Sequence, residues 1–145
     1  MALPSFNAEG ELPPGVHPAT WAEVRQRFGA KGGQRWVCTQ RLTHIRELSK
    51  RTGFLRRFVV FGSFITAKSE PNDVDIVLVM DDGFHLEDCP VELRGLFEHA
   101  VAQGRYGASI FWLRAGMLIG ESVEEFIAYW QVKRGGGRRG IVEVI

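Results

Sequence analysis

Apolar positions along the chain switch between helical and alternating spacing, and the switches mark its elements. Pro13-Pro14-Gly15 excludes a helix near the start. Thr20 with Glu23 three residues on is a capping-box pattern, predicting a short helix that ends at Gly29. From Gln34 to about Arg51, Cys38, Leu42, Ile45 and Leu48 or Ser49 recur at helical spacing and predict a long amphipathic helix, closed by Gly53. "RRFVVF" (56–61) reads as a buried strand, followed by Gly62-Ser63 and a short turn or helix through Ile65. "DVDIVLVM" (73–80), rich in β-branched residues, is a second strand. "CPVELRGLFEHAVAQG" (89–104) reads as a helix with proline near its start and Gly104 after its end. "GASIFWL" (107–113) is a third strand, and "GESVEEFIAYWQVKR" (120–134) a helix capped by Ser122. "GGGRRGIVEVI" closes the chain with a turn and a last strand. The expected fold is α/β of the α+β kind, a small mixed sheet of about four strands flanked by helices.

The length of 145 residues predicts one domain, 1–145, with residues 1–30 as an N-terminal turn-and-helix arm. The composition, 45% hydrophobic and 24% charged, is that of a globular protein. No apolar run reaches the roughly 20 residues of a membrane span, and no basic-then-apolar leader opens the sequence. Cys38 and Cys89 lie far apart in different contexts, which predicts free thiols in a reducing cytoplasm. No Cys/His spacing suggests zinc.

Net charge is +1, yet the charges are segregated. Lys31, Arg35, Arg41, Arg46, Lys50, Arg51, Arg56 and Arg57 face only Glu47 within 31–57. Between Ser69 and His99 the imbalance reverses, with Arg94 alone among the aspartates and glutamates. Such a split suits either a solvated helix face or a basic face that meets phosphates.

The stretch "VVFGSFITAKSEPNDVDIVLVMDD" (59–82) carries the chemistry. Asp73 and Asp75 alternate along a strand, which predicts both carboxylates on one face. Paired carboxylates resist burial unless a hard cation such as Mg²⁺ sits between them, its remaining positions filled by water and phosphate oxygens. Gly62 and Ser63 sit where the preceding strand opens into a turn, where backbone N–H groups and a hydroxyl can receive phosphate.

The motif Phe61, Gly62, Ser63, nine residues, then Asp73, Val74, Asp75, Ile76 resembles the signature of the DNA polymerase beta-like nucleotidyltransferases. It is most similar to short bacterial members of toxin–antitoxin operons. The chain also resembles a group of short proteins with an "LPPG.H.ATW" start, a "GSF.TAK..P.D.D" centre and a "GIV" ending, here "LPPGVHPATW", "GSFITAKSEPNDVD" and "RRGIVEVI". The resemblance implies the polymerase beta-like fold and a transferase with Asp73 and Asp75 as catalytic ligands of Mg²⁺ or Mn²⁺. It implies Gly62 and Ser63 as contacts of a nucleoside triphosphate, and an RNA or protein hydroxyl as acceptor. An operon partner protein is a further implication. Lys68, between the two halves of the motif, either reaches a phosphate or is a solvated loop lysine.

The chain departs from that pattern at one place. Active members carry a third carboxylate on the next strand, and the matching position here is Ser109, a neutral and poor base. Glu121, Glu124 and Glu125 could enter from the following helix, although they suit its N-terminal dipole. His44, His85 and His99 lack spaced partners, while His17 could pack over the site. Trp21, Trp36, Trp112 and Trp130 are spread one per element and read as packing residues. Lys133, Arg134, Arg138 and Arg139 flank the triple glycine, as a phosphate clamp or a solvated hairpin. Three functions follow: a Mg²⁺-dependent nucleotidyltransferase, a nucleotide-binding regulator or antitoxin-type partner without turnover, and a nucleic-acid-binding module.

Overall fold

The structure, a computed structural model, describes residues 2–145. Five strands form one open mixed sheet: β1 (Val16–Ala19), β2 (Leu55–Phe61), β3 (Val74–Met80), β4 (Ala108–Arg114) and β5 (Ile141–Val144). Their order is β1-β5-β2-β3-β4, with β2 antiparallel to both β5 and β3, and the outer pairs β1–β5 and β3–β4 parallel. Five α-helices accompany it: α1 (Trp21–Phe28), α2 (Gly33–Arg51), α3 (Val91–Arg94), α4 (His99–Tyr106) and α5 (Val123–Tyr129). No helix of the described residues is long and apolar enough to cross a membrane.

The long helix forms as its spacing predicts. Cys38, Leu42, Ile45 and Leu48 are buried against one face of the sheet, together with Phe58, Val60, Ile76 and Leu78. Ser49 continues this stripe because its hydroxyl is satisfied by the carbonyl of Ile45 at 2.7 Å. The expected capping box is present, Thr20 accepting from the Glu23 N–H at 3.1 Å, and the expected cap Ser122 proves to form one too, accepting from the Glu125 N–H at 3.1 Å.

Three expectations need correction. The sheet has five strands rather than four, because the segment after Pro14-Gly15 is an edge strand. Four residues containing His17 and Pro18 carry no alternation, and pairing with β5 makes the strand instead. The expected helix over 89–104 is broken: a 3₁₀ turn at Gly95–Phe97 and extended Glu98 separate α3 from α4. Here the Phe97 carbonyl accepts from the Trp112 indole at 3.1 Å, and its ring stacks on Phe84 with centroids 4.8 Å apart. Tertiary packing takes that carbonyl out of the helical ladder. Helix α4 then runs past Gly104 to Gly107, whose φ of +62° supplies the left-handed cap. The last helix ends at Tyr129, not Arg134. Gln131 is buried and accepts the Gly15 N–H at 2.6 Å, tying the chain to the N-terminal arm, and Val132 bridges to Arg138 across a turn.

Part of the segregated basic charge is taken up by partners within the fold. Arg56 pairs with Asp81, and Arg57 with Glu143 at 2.7 Å and with Glu124 of α5. Arg46 lies over the Trp21 ring at 5.3 Å. Arg35 turns inward and donates to the carbonyls of Phe28 (3.0 Å), Phe64 (2.6 Å), Thr66 (3.0 Å) and Lys68.

Candidate functional site

Strand register places the site. Phe61, Asp75 and Ser109 are direct partners across β2, β3 and β4, so their side chains leave on one face. Two residues along, Val59, Val77 and Phe111 continue that face. Helix α5 covers this apolar part: Ile127 is fully buried, and Trp130, just after the helix, stacks on Phe61 and Phe111 with centroids 4.7 Å from each. The part carrying Asp75 and Ser109 is left open. A cavity of about 630 Å³ lies there, bounded by Gly62, Ser63, Asp75 and Ser109 on the sheet side and by Lys133, Arg134 and Arg139 opposite.

Gly62 is required at its position. Its φ of +83° belongs to a region side chains avoid, and a Cβ there would collide with the Asp75 carboxylate oxygen. The turn it starts, a 3₁₀ turn at Ser63–Ile65, is held by Arg35 from α2 behind it. That role of Arg35 was not legible in the sequence, because four backbone carbonyls leave no pattern of partner residues.

Asp75 is the electrostatic centre. Burial, reinforced by the charge of Asp73, pushes its pKa up to about 6, and Arg139 and Arg134 only partly counter this. No donor among the described residues hydrogen-bonds its carboxylate. Asp73 precedes β3 and is exposed, outside the cavity wall, so the two carboxylates are near enough to interact but differ in environment. Lys68 also lies outside this cavity, in a shallower cleft on the other side of Ser63 beside Glu9 and Glu11. His17 is not over the site: its Nε2 contacts the Pro13 carbonyl at 2.6 Å. Among the described residues, no three His, Cys, Asp or Glu side chains converge as a metal cage. The position for a third carboxylate is Ser109, as expected, with its hydroxyl 3.3 Å from the Gln103 amide. Glu124 is engaged by Arg57, and Glu125 caps α5.

Two features escaped the sequence reading. His99, one turn before Gln103 on α4, lines the cavity with its ring 5.2 Å from Phe111. Trp130 is part of an aromatic wall rather than isolated packing, and its indole N–H is buried without an acceptor. Such a donor costs about 1–3 kcal/mol. On the basic side, Lys133 and Arg139 are anchored by the buried carboxylate of Glu11, at 3.1 and 3.4 Å.

A family model matches residues 4–145, nearly the whole chain: DUF6932, a family of unknown function. The chain belongs to this family. Its match takes in the "LPPG" start, the Gly62–Asp75 centre and the "GIV" end, so arm, site and last strand form one DUF6932 unit. No curated protein and no solved structure matches the chain.

Proposed function

We propose that the protein binds a nucleoside triphosphate with Mg²⁺ or Mn²⁺ at the open end of the sheet and transfers a nucleoside monophosphate to an RNA or protein hydroxyl, on a polymerase beta-like nucleotidyltransferase fold in the cytoplasm. One observation carries this reading. Asp75 is a partly buried carboxylate that no donor among the described residues hydrogen-bonds, close against Gly62 and lining a cavity of nucleotide size together with Arg134 and Arg139.

The donor set fits a hard cation. Two carboxylates, one of them held above its ordinary pKa mainly by burial, are what Mg²⁺ shares with phosphate oxygens. Asp75 and Asp73 would hold it, and when bound it neutralises the phosphates and the departing pyrophosphate. Gly62 leaves room for close backbone approach, and the Ser63 hydroxyl and adjacent N–H groups receive phosphate oxygens. Arg35 keeps that turn in place from behind. Arg134 and Arg139 add positive charge on the opposite wall. Two side chains of the cavity can take a proton from an attacking hydroxyl, Asp75 and His99.

Ser109 favours a second reading. Without a carboxylate there, the site binds metal and nucleotide but turns over slowly or not at all, and the protein acts as a nucleotide-dependent regulator or partner of another protein. The nucleic-acid-binding reading rests on fewer cations than the basic run suggested, since Arg35, Arg46, Arg56 and Arg57 have partners within the fold while Lys31, Arg41, Lys50, Arg51, Arg134 and Arg138 have none among the described residues. Incubation with α-labelled nucleotides, Mg²⁺ or Mn²⁺, and total RNA and protein tests the transfer. Label appearing in an acceptor, and lost in Asp75→Asn, supports the enzyme. Nucleotide binding without any transfer leaves the regulator.

A further inference from the structure

The cavity lining carries two kinds of chemistry, aromatic and cationic. Part of its wall is aromatic: Phe111 and Trp130 meet as tilted rings with centroids 4.7 Å apart, and Tyr129 stands edge-on to Trp130 with centroids 6.0 Å apart. Tyr129 is 64% exposed, an unusual state for a large ring at the mouth of a cavity that could have buried it. Cations also line the cavity, and Arg139 and Arg134 lie near enough to Asp75 to act on its charge. Lys133 and Arg139 are tied to Glu11, whereas Arg134 lines the cavity with no side-chain partner among the described residues. Arg134 sits on a short flap pinned by the Val132–Arg138 bridge and by the Lys133–Gly137 backbone turn, and the flap carries three consecutive glycines. Planar apolar surface and an unpaired guanidinium in one cavity match a ligand with an aromatic ring and an anionic tail.

We propose that the nucleoside triphosphate lies in the cavity with its base on the Tyr129–Trp130–Phe111 wall and its terminal phosphates at Arg134, so that the α-phosphate falls beside Asp75. This orientation rests on the triphosphate reading above and adds to it the part of the protein that recognises the base. A base on this wall gains ring–ring contact with Tyr129, which moves over the ring, and with Trp130 at its edge. Every base has a π-face, so the wall favours nucleotides over bare polyphosphate and discriminates weakly among the four bases. Arg134, in contrast, contributes equally to a nucleotide and to the phosphate chain alone.

Intrinsic tryptophan fluorescence and thermal shift, read with each of the four nucleoside triphosphates and with inorganic tripolyphosphate, all with Mg²⁺, test the assignment. The wild type is expected to bind a triphosphate about tenfold or more tightly than tripolyphosphate, with quenching of Trp130. Tyr129→Ala, which removes an exposed side chain, closes most of that gap, and Trp130→Phe removes the quench while the protein stays folded. Arg134→Gln weakens nucleotide and tripolyphosphate by the same factor. A nucleotide preference unchanged in Tyr129→Ala, with quenching retained in Trp130→Phe, overturns the orientation and leaves the triphosphate reading standing. Failure of every triphosphate and of tripolyphosphate to bind the wild type overturns both.

Discussion

Replacing Asp75 with asparagine should make the protein more stable at neutral pH, although it removes a central residue of the site. The carboxylate titrates near 6 instead of its ordinary 3.8. A gap of about two units corresponds to about 3 kcal/mol of unfavourable ionisation in the folded state. The sign follows from proton binding. Between about pH 4 and 6 the folded protein keeps this proton longer than the unfolded chain does, so stability falls as pH rises through that window. Above pH 7 the full penalty is present. Asparagine carries no charge to desolvate and none to be repelled by Asp73. The stability difference between Asp75→Asn and wild type therefore grows from nearly nothing at about pH 4 to about 3 kcal/mol at pH 8. For a chain of 145 residues that is roughly 5–10 °C in Tm. Thermal unfolding of both proteins across this pH range measures it. A difference that stays flat with pH, or a variant less stable than wild type at pH 8, refutes the claim that burial leaves the Asp75 carboxylate only partly compensated.

Other predictions follow from neighbouring residues. Gly62→Ala places a methyl against Asp75 at a positive φ and should cost about 2 kcal/mol or more, read by chemical denaturation, with loss of nucleotide binding. Arg35→Gln removes the donors that hold the turn and should cost about 2 kcal/mol; hydrogen exchange at Thr66 and Ala67, whose amides bond Ser63 and Gly10, should speed up before the sheet does. Glu11→Gln frees Lys133 and Arg139 and should lower Tm, an effect weakened by salt. His99→Gln should slow nucleotidyl transfer with little change in nucleotide affinity, a split visible as a lower kcat at constant Kd.

The helices with regular caps and an unbroken apolar stripe were legible because local signals and tertiary packing agree there. Thr20–Glu23, Ser122–Glu125 and the Cys38–Leu48 stripe are such cases. The central strands were legible for the same reason, and the open end of β2 and β3 followed from Gly62-Ser63 and the aspartates. Three things were not, and each has a long-range cause. Strand β1 exists because β5 offers it a pairing edge. The break near Gly95–Glu98 exists because Trp112, fifteen residues from Phe97, captures its carbonyl. The site's aromatic and cationic walls come from segments after residue 98, brought over Asp75 by the parallel β3–β4 crossover and by the return of β5. Alternation also overstated the symmetry of the aspartate pair. Asp73 lies one residue outside β3, where solvent keeps it exposed, while Asp75 two residues on is half-buried at the cavity.

Isothermal titration of Mg²⁺ with a nucleoside triphosphate into wild type and Asp75→Asn tests the central claim most directly. Saturable one-to-one binding by the wild type that requires the divalent ion, and at least about tenfold weaker binding by the variant, is the predicted result. Equal affinity in the two proteins, or binding that ignores the ion, contradicts it.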